Sequence, residues 1–245
     1  FDECTYYPAT YEYTKKAMKR THDWLERCID YRIKIPSPSQ HLYGVIQGGT
    51  FEDLRRESAE FVFSQNTPGG GIGGVSVGES KKEMREQVKW VSDYLPGNKP
   101  VHLLGVGQID DILDLVRYGI DTFDCVEPTR LARMGIIYHS KAQQSNFYHT
   151  RVSPRKSRGP LESEKITLTS PSEEIDINKS IYKNNLETVD TNCSCYTCLN
   201  FTKSYLHHLF KQKEILGYTL ATIHNLWVME KLFEKIRGAI ERDNI

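Results

Sequence analysis

Residues 42–126 alternate between short apolar runs and amphipathic segments, and this rhythm constrains the fold more than any other feature of the chain. The segments between the runs carry apolar residues at helical spacing, as in Met84, Val88 and Val91. Each repeat of strand, loop and helix takes about 25 to 30 residues, and such strands pair in parallel through right-handed crossovers. The sequence therefore predicts an α/β protein with strands at 42–47, 71–77, 101–105 and 121–126 and helices at 51–65, 80–94 and 109–118.

Two α/β folds have this rhythm, a doubly wound sheet and a (β/α)8 barrel. Polar or glycine-rich sequence follows the predicted strands, at Gln47, Gly73, Gly105 and Asp124. A barrel brings all of its strand ends to one face, whereas a doubly wound sheet concentrates its glycines at one switch point. We therefore predict a (β/α)8 TIM barrel. A helix predicted at 10–31 follows what looks like the end of a strand at 1–5, so we expect the barrel to be incomplete, with its N-terminal part missing.

Three of the six cysteines crowd together at Cys193, Cys195 and Cys198, and His224 follows them. Three thiolates on a tight turn and one imidazole suit the closed tetrahedral coordination of a structural Zn²⁺ ion. His207 and His208 compete as the fourth ligand, but they fall inside a helix predicted at 201–216. We place His224 at the start of the next helix, predicted at 225–240, after a turn at Gly217. We therefore predict one structural zinc ion per chain, bound by Cys193, Cys195, Cys198 and His224; the alternative is a cluster of free buried thiols.

The composition excludes several classes of protein. Lysine and arginine together number 32, as do aspartate and glutamate, so the chain is not a globally basic nucleic-acid binder, although a local basic patch stays open. No apolar run approaches the roughly 20 residues that a membrane span needs. The few cysteines, clustered for one metal, are typical of a reducing compartment, and we expect a cytoplasmic protein.

The sequence predicts three segments. Residues 1–138 form the barrel part, 139–190 a polar and basic insertion and linker, and 191–245 a zinc-binding subdomain with closing helices. Basic residues in the insertion indicate either a solvated loop or a contact with RNA phosphate: Arg151, Arg155, Lys156 and Arg158.

Asp124 stands at the end of the last predicted strand, where a barrel enzyme carries catalytic groups. From spacing alone it could equally cap a helix or pair with Arg130. The glycines at 71, 73 and 74 match a nucleotide-binding loop only weakly, because no Lys-Ser/Thr pair or ribose-binding acid follows them. They also let a flat ligand approach main-chain groups closely.

These motifs resemble those of the tRNA-guanine transglycosylase (queuine tRNA-ribosyltransferase) family, bacterial type. The resemblance rests on FDECT at 1–5, HLYGVIQGG at 41–49, GIGGVSVGE at 71–79, LGVG at 104–107, FDCVEPTRLAR at 123–133 and the cysteine–histidine pattern at 193–224. It implies a TIM barrel with a zinc subdomain. It also implies exchange of the wobble guanine of tRNAs with a GUN anticodon for a 7-deazaguanine.

The resemblance also implies a role for each matching residue. Asp124 is the nucleophile that attacks ribose C1′ and forms a covalent RNA intermediate. Asp2 is the acid that recognises the N1–H and exocyclic amine of the purine. The rest of the base pocket is formed by Cys4, Gln47, Gly74, Val75, Leu104 and Gly105, the RNA backbone is contacted by Arg130 and Arg133, and the zinc ligands are the four already named.

Two departures from the family pattern stand out. The second catalytic aspartate of the family belongs to the N-terminal part of the barrel and has no equivalent here. Glu127 replaces an apolar residue, and its effect is either a charge near the nucleophile or a solvent-facing change. Cys4 and the bulk of Val77 favour 7-aminomethyl-7-deazaguanine as the substrate, with queuine as the alternative.

Two other functions compete with catalysis. A non-catalytic accessory subunit of the same family would have lost the nucleophile, which Asp124 retains. An unrelated barrel lyase or aldolase would need a lysine at a strand end, and the βα turns offer none. Phe201, Tyr205 and His208 share one helix face at i, i+4 and i+7, and such aromatic faces either pack on the core or anchor an interface; the resemblance favours a homodimer through this face.

Overall fold

The computed structural model describes residues 1–37, 39–139 and 173–243. Its contacts form two compact units that divide between Cys125 and Val126. Residues 126–138, which the prediction assigns to the barrel segment, belong to the second unit. The three predicted segments, with a boundary at 138, stay a prediction. The four basic residues of the insertion lie outside the described residues.

The first unit is a parallel sheet with a helix in each crossover. Its four strands lie in chain order, so each is bonded to the next one along the sequence. The prediction of an α/β protein with a parallel sheet is confirmed. The strands are β1 (Tyr43–Ile46), β2 (Gly69–Ile72), β3 (Val101–Leu103) and β4 (Thr122–Phe123), and the helices are α1 (Tyr11–Lys34), α2 (Glu52–Ser64), α3 (Lys81–Val91) and α4 (Ile109–Leu115).

Local chemistry explains where these helices begin. The Thr10 hydroxyl accepts a hydrogen bond from the Tyr13 N–H at the start of α1. Ser80 and Glu83 form a reciprocal capping box at the start of α3. Each bond satisfies backbone donors that the first turn of a helix leaves unpaired, and such a cap is worth about 1 kcal/mol.

All four strands are shorter than the sequence indicated, and β2 and β4 depart most from the predicted C-terminal ends. β2 ends at Ile72 rather than at 77, because Gly74 and Ser76 have φ angles of +61° and +59°, which no strand accommodates. β4 ends at Phe123 rather than at 126, because Val126 already has helical backbone angles. Both corrections turn predicted strand residues into loop residues at the strand ends.

The strands end in register. Ile46 pairs with Ile72, Ile72 with Leu103, and Leu103 with Phe123, and each is the last residue of its strand. The three aliphatic side chains of this row are fully buried, and burying each one is worth roughly 1.5–3 kcal/mol. Because the row is aligned, the four loops that follow the strands all leave from the same edge of the sheet.

Among the residues that the structure describes, the second unit combines a two-stranded antiparallel sheet with four α-helices. Strand β5 (Ile136–His139) pairs with β6 (Glu173–Asp176). Its core includes Ala132, Ile137, Leu206 and Leu220. The helices are α5 (Glu127–Met134), α6 (Tyr196–Asn200), α7 (Lys203–Lys211) and α8 (Ile215–Asp243).

The helix boundaries after the cysteines differ from the prediction. The helix predicted at 201–216 ends at Lys211, and the turn lies at Lys213, whose φ is +57°, rather than at Gly217. Gly217 belongs to α8, where a Cβ atom would come within 2.9 Å of the Leu209 Cβ. A close approach of α8 to α7, and not a turn, therefore requires this glycine.

Among the described residues, no helix combines the length and the apolar character that crossing a bilayer requires.

Candidate functional site

The candidate site lies at the edge of the first unit where the four strands end. Gln47 follows β1, Gly73 follows β2, Leu104 follows β3 and Asp124 follows β4. Asp2 joins them from the segment before α1, through a hydrogen bond to Gln47. The structure therefore brings predicted residues from five separate parts of the chain to one edge of the sheet.

Gln47 and Asp2 present acceptors side by side. The buried Gln47 side chain donates from Nε2 to Asp2 Oδ2 at 2.7 Å. Its Oε1 is buried without a hydrogen-bond partner among the described residues, and an unpaired buried acceptor costs about 1–3 kcal/mol. A carboxylate beside an unpaired amide oxygen suits a ligand edge rich in N–H donors.

The glycines after β2 leave room for this pair. A Cβ atom on Gly73 would lie 2.8 Å from Gln47 Nε2, and one on Gly74 would lie 2.3 Å from Gln47 Oε1. Any side chain at these two positions would displace Gln47. The main chain of residues 73–74 is therefore part of the wall of the site.

The remaining residues of the predicted pocket are Cys4, Val75, Leu104 and Gly105. Partial burial, together with the Asp2 carboxylate, raises the pKa of the Cys4 thiol, so this group is uncharged at neutral pH. Val75 is buried, and Leu104 Cδ1 would lie 3.1 Å from a Cβ atom on Gly71. Gly105 is exposed and has a φ angle of +72°.

A small cleft adjoins the residue 73–77 loop, and its lining includes Gly74, Val77 and Glu79. The Glu79 carboxylate accepts hydrogen bonds from the Ser76 and Val77 N–H groups. These bonds hold Ser76 in its left-handed conformation. The Glu79 carboxylate thus fixes the residue 73–77 loop next to the cleft.

Arg55 is a residue of the site that sequence reasoning missed. It is fully buried in α2, and its guanidinium donates to the carbonyl oxygens of Gly49, Gly73 and Gly74 at 2.6–2.7 Å and to Gln87 Oε1 at 2.8 Å. Burial lowers the pKa of Arg55 to about 10, which leaves it protonated at neutral pH. No sequence signal marked it, because the groups that it binds lie 6 to 32 positions away along the chain.

Asp124 is an accessible carboxylate with one oxygen held in place. Its side chain is 61% exposed, and Oδ1 accepts hydrogen bonds from the Gly105 N–H at 2.9 Å and from His102 Nε2 at 3.1 Å. In the described structure the N-cap of α5 is Val126, so Asp124 is not the helix cap. An exposed carboxylate at a strand end can act as a nucleophile or stabilise a developing positive charge.

Arg130 and Arg133 lie in the second unit, on α5, and both are exposed. At a spacing of three residues they are neighbours on one helix surface. In the same unit Glu127 lies near Glu174, whose pKa is raised by burial and then by the Glu127 charge.

A second cluster, in the second unit, consists of Cys193, Cys195, Cys198 and His224. The ligand atoms of all four lie within 4.8 Å of one another. The His224 Nδ1 atom lies 3.6, 3.5 and 3.2 Å from the sulfur atoms of Cys193, Cys195 and Cys198. This group of four residues can hold one metal ion, as predicted from the sequence.

The position of His224 in its helix differs from the prediction. His224 lies well inside α8, which begins at Ile215, rather than at a helix start. Its Nε2 lies 2.7 Å from the Tyr138 carbonyl oxygen, so Nε2 carries the proton and Nδ1 is free to bind a metal. His207 instead bonds through Nδ1 to the Ile177 carbonyl, and His208 is exposed, so neither competes.

Asn225, next to His224 in α8, was also missed by sequence reasoning. Its Oδ1 accepts from the Tyr138 N–H at 3.0 Å, and its Nδ2 donates to the carbonyl oxygens of Pro128 and Ile136. The side chain is fully buried. It fixes α8 to α5 and β5 beside the metal cluster.

The aromatic face predicted as an interface begins one residue before Thr202, the N-cap of α7. Phe201 and Tyr205 stack with ring centroids 5.3 Å apart, and Tyr196 meets Phe201 edge-on. Tyr205 is 38% exposed, and His208 is exposed on the same helix. Phe201 packs partly against the core of the second unit, so this face presents Tyr205 and His208 to solvent.

The two units define an α/β protein with an accessible carboxylate, a pocket that accepts hydrogen bonds from a ligand, and a Cys₃His group that can hold a metal ion. A family model described as Queuine tRNA-ribosyltransferase matches residues 1–245, which is the whole chain. The chain belongs to the queuine tRNA-ribosyltransferase family, which confirms the resemblance inferred from the sequence.

Curated relatives carry the same description. The Queuine tRNA-ribosyltransferases of Thermoanaerobacter pseudethanolicus and Caldanaerobacter subterraneus subsp. tengcongensis are 40% and 42% identical to the chain over 245 residues, which is 100% of this chain and 56% of each relative. That of Herpetosiphon aurantiacus is 41% identical over 243 residues, 99% of this chain and 53% of the relative. The chain thus spans about half the length of the curated relatives it matches.

Proposed function

We propose that the protein is a tRNA-guanine transglycosylase, a pentosyltransferase of queuosine biosynthesis. It exchanges the wobble guanine of tRNAs with a GUN anticodon for 7-aminomethyl-7-deazaguanine. One observation carries the proposal: the exposed, oriented carboxylate of Asp124 stands at the same strand edge as the acceptor pair of Asp2 and Gln47. This edge offers a nucleophile for the sugar and a recognition site for the base.

The sheet is an arc of a (β/α)8 barrel in this proposal. Four parallel strands in unbroken chain order, with a helix in each crossover and functional side chains at every strand end, support it. In the other candidate fold, a doubly wound sheet, the strand order would reverse at a switch point.

Asp124 reacts with ribose C1′ of the wobble nucleotide. Its carboxylate oxygen forms a bond to C1′ while the C1′–N9 bond breaks, and guanine leaves with the electron pair and takes up a proton at N9 from the solvent, which regains a proton when the incoming base loses its own. The carboxylate first stabilises the oxocarbenium-like sugar and then captures it. The incoming 7-deazaguanine loses its N9 proton and displaces Asp124, which restores the carboxylate.

Asp2 and Gln47 recognise the base. The Asp2 carboxylate accepts from the N1–H and exocyclic amine of the purine, an edge that a carboxylate binds in a bidentate manner. The Gln47 side chain faces the carbonyl edge of the base and donates to that carbonyl from Nε2, because an amide nitrogen carries two N–H donors and the Asp2 hydrogen bond uses one of them. Gly74 and Val75 contact the base and its 7-substituent through the main chain, and Cys4, Leu104 and Gly105 form the rest of the wall.

The 7-aminomethyl base is favoured over queuine by size. Val77 is 37% exposed beside the cleft next to Gly74, where its branched side chain occupies space that a cyclopentenediol would need. Arg130 and Arg133 are exposed cations and bind the tRNA backbone in this proposal.

The metal is a structural Zn²⁺ ion. Tetrahedral zinc with about 2.3 Å to sulfur and about 2.0–2.1 Å to nitrogen requires sulfur–nitrogen separations of about 3.5 Å, and the three separations are 3.2–3.6 Å. When bound, it would cross-link the cysteine turn to α8 and take no part in the reaction. A homodimer through Phe201, Tyr205 and His208 and a cytoplasmic location complete the proposal.

Guanine exchange by the complete protein tests this function. We expect labelled guanine to enter an unmodified GUN tRNA, and a covalent RNA–protein adduct to survive on a denaturing gel. Asp124→Asn should abolish the adduct and keep the fold, because an amide is not an anionic nucleophile. The matched control is Asp23→Asn, at a surface ion pair of α1, which should form the adduct normally.

Two results would contradict the proposal. A complete protein that exchanges no guanine and traps no RNA would favour the accessory-subunit alternative. An Asp124→Asn protein that still traps RNA would refute the assignment of the nucleophile. Faster incorporation of queuine than of the 7-aminomethyl base would overturn the substrate choice alone.

A further inference from the structure

His102 connects the predicted nucleophile to a neighbouring strand. It lies in β3, and its Nε2 is 3.1 Å from Asp124 Oδ1, while its Nδ1 is 2.8 Å from the Thr122 Oγ1 atom. His102 and Thr122 are register partners across β3 and β4, so the sheet itself sets this arrangement. The family resemblance assigned no role to either residue.

The partners of the ring decide its hydrogen-bonding state. A carboxylate only accepts hydrogen bonds, so Nε2 must carry the proton that faces Asp124. In the neutral imidazole Nδ1 is then an acceptor, and the Thr122 hydroxyl is the donor that it needs. Thr122 therefore favours the tautomer that donates to Asp124.

The two hydrogen-bond donors to Asp124, from Gly105 and His102, bind the same carboxylate oxygen. The Gly105 N–H and His102 Nε2 bind Oδ1, and within the described residues neither of them bonds to Oδ2. Two hydrogen bonds engage the lone pairs of Oδ1 and fix the plane of the carboxylate. Oδ2 is left as the oxygen with an unengaged lone pair.

We propose that His102 is a positioning residue that holds Asp124 Oδ1, so that Oδ2 forms the bond to ribose C1′ and the carboxylate is stabilised when that bond breaks. The inference rests on the proposed function. In the adduct, Oδ1 is the carbonyl oxygen of a neutral ester and accepts a weaker hydrogen bond than the carboxylate does. His102 therefore stabilises the free enzyme more than the adduct and makes Asp124 a better leaving group.

The reversal of the adduct by guanine measures this effect. The incoming base attacks C1′ through N9 and loses its N9 proton, the C1′–Oδ2 bond breaks, and its electron pair returns to Asp124. Without the His102 hydrogen bond the carboxylate is less stable, so more guanine is needed to release half of the trapped tRNA. We expect His102→Phe in the complete protein to raise this concentration about tenfold, since a hydrogen bond to a charged group is worth about 1.5 kcal/mol or more.

Two further variants separate this role from a structural one. His102→Gln replaces the imidazole Nε2–H with an amide N–H and should return the guanine concentration to within about threefold of wild type. Thr122→Val removes the hydroxyl that faces Nδ1. It should raise the guanine concentration that releases half of the trapped tRNA by about threefold, the same direction as for His102→Phe. A damaged site would instead trap less RNA and would not respond to the amide. The exposed His41→Phe is the control, and circular dichroism verifies that each variant is folded.

The outcomes of these measurements distinguish failure of the role of His102 from failure of the proposed transglycosylase function. If wild type and His102→Phe both trap RNA and release it at the same guanine concentration, the inference is wrong and the proposed function stands. If His102→Phe does not fold, the Thr122→Val and His102→Gln measurements decide between the same two results. A wild-type protein that traps no RNA and exchanges no guanine overturns the proposed function and this inference together.

Discussion

The Arg55 Nη2 atom donates to the Gly74 carbonyl oxygen across 2.6 Å, from the buried face of a helix to the loop that borders the candidate base site. The same guanidinium also binds the carbonyl oxygens of Gly49 and Gly73. One buried cation thus joins the loops after β1 and β2. The shape of the pocket therefore depends on Arg55, although Arg55 is not one of the residues predicted to contact the base.

Arg55→Lys should loosen both loops. A lysine ammonium keeps the charge but lacks the planar fork that reaches three carbonyl groups at once, and each carbonyl left unpaired costs about 1–3 kcal/mol. We expect the free energy of unfolding to fall by about 2–4 kcal/mol, measured by urea denaturation. The KM for the base should rise more than kcat falls.

The neighbouring Arg56→Lys is the control for this variant. Arg56 makes a surface ion pair with Glu52, and such pairs contribute about 0–1 kcal/mol. If Arg55→Lys and Arg56→Lys unfold at the same urea concentration, the buried hydrogen bonds do not stabilise the loops as described.

Cys195→Ala should remove the metal. Cys195 is fully buried, and its sulfur lies among the other ligand atoms and also accepts from the Cys198 N–H. Since binding of a structural zinc ion is coupled to folding, we expect zinc content to fall from one ion per chain to none, with proteolytic cleavage appearing within residues 193–240. Metal analysis and limited proteolysis measure both effects.

Cys28→Ala is the matched cysteine control, because Cys28 lies in α1 and outside the cluster. It should keep one zinc ion. Stoichiometric zinc in the Cys195→Ala protein would contradict the assignment of this ligand.

Acid should destabilise the first unit through His22. This buried side chain stacks on Phe61 and bonds to Ser58 Oγ at 3.0 Å, and burial lowers its pKa to about 4. The unfolded chain, with an ordinary pKa of about 6.5, binds more protons than the folded chain between pH 6.5 and 4. Stability is therefore unaffected by His22 above this range and falls as the pH decreases through it, by up to about 3 kcal/mol.

His22→Gln isolates this contribution, since glutamine can still bond to Ser58 and does not titrate. The difference in unfolding free energy between wild type and variant should shift in favour of the variant as the pH is lowered from 7 to 4.5. An identical difference at both pH values would show that His22 does not titrate as described.

Replacing Tyr205 and His208 together with alanine should shift the complete protein toward monomer. Tyr205 is partly exposed and stacks on the half-buried Phe201 ring, and aromatic side chains dominate the binding energy of many interfaces. Native mass spectrometry at low micromolar concentration should show more monomer and unchanged zinc content. Lys211→Ala, at the exposed end of α7, is the control, and a fully dimeric double variant would refute the interface.

Features with short sequence separation were predictable from the sequence. Apolar spacing identified the four α-helices and four strands that the structure describes in the first unit, because the periods of helices and strands are local properties of the chain. Three cysteines within residues 193–198 predicted a metal site, because a single turn can bring their sulfur atoms together. The family followed from several such short motifs.

Features that depend on long-range contacts came only from the tertiary structure. Nothing in the sequence distinguishes Arg55 or His102 from other polar residues in apolar segments. The hydrogen-bond partners of Arg55 lie 6 to 32 residues away along the chain, and those of His102 lie 20 and 22 residues away. The early end of β2 and the start of α8 at Ile215 were likewise misjudged. Local spacing determines which elements form, but the pairing register of the strands and the packing of the helices decide which side chains meet, and these are set by burial over the whole fold.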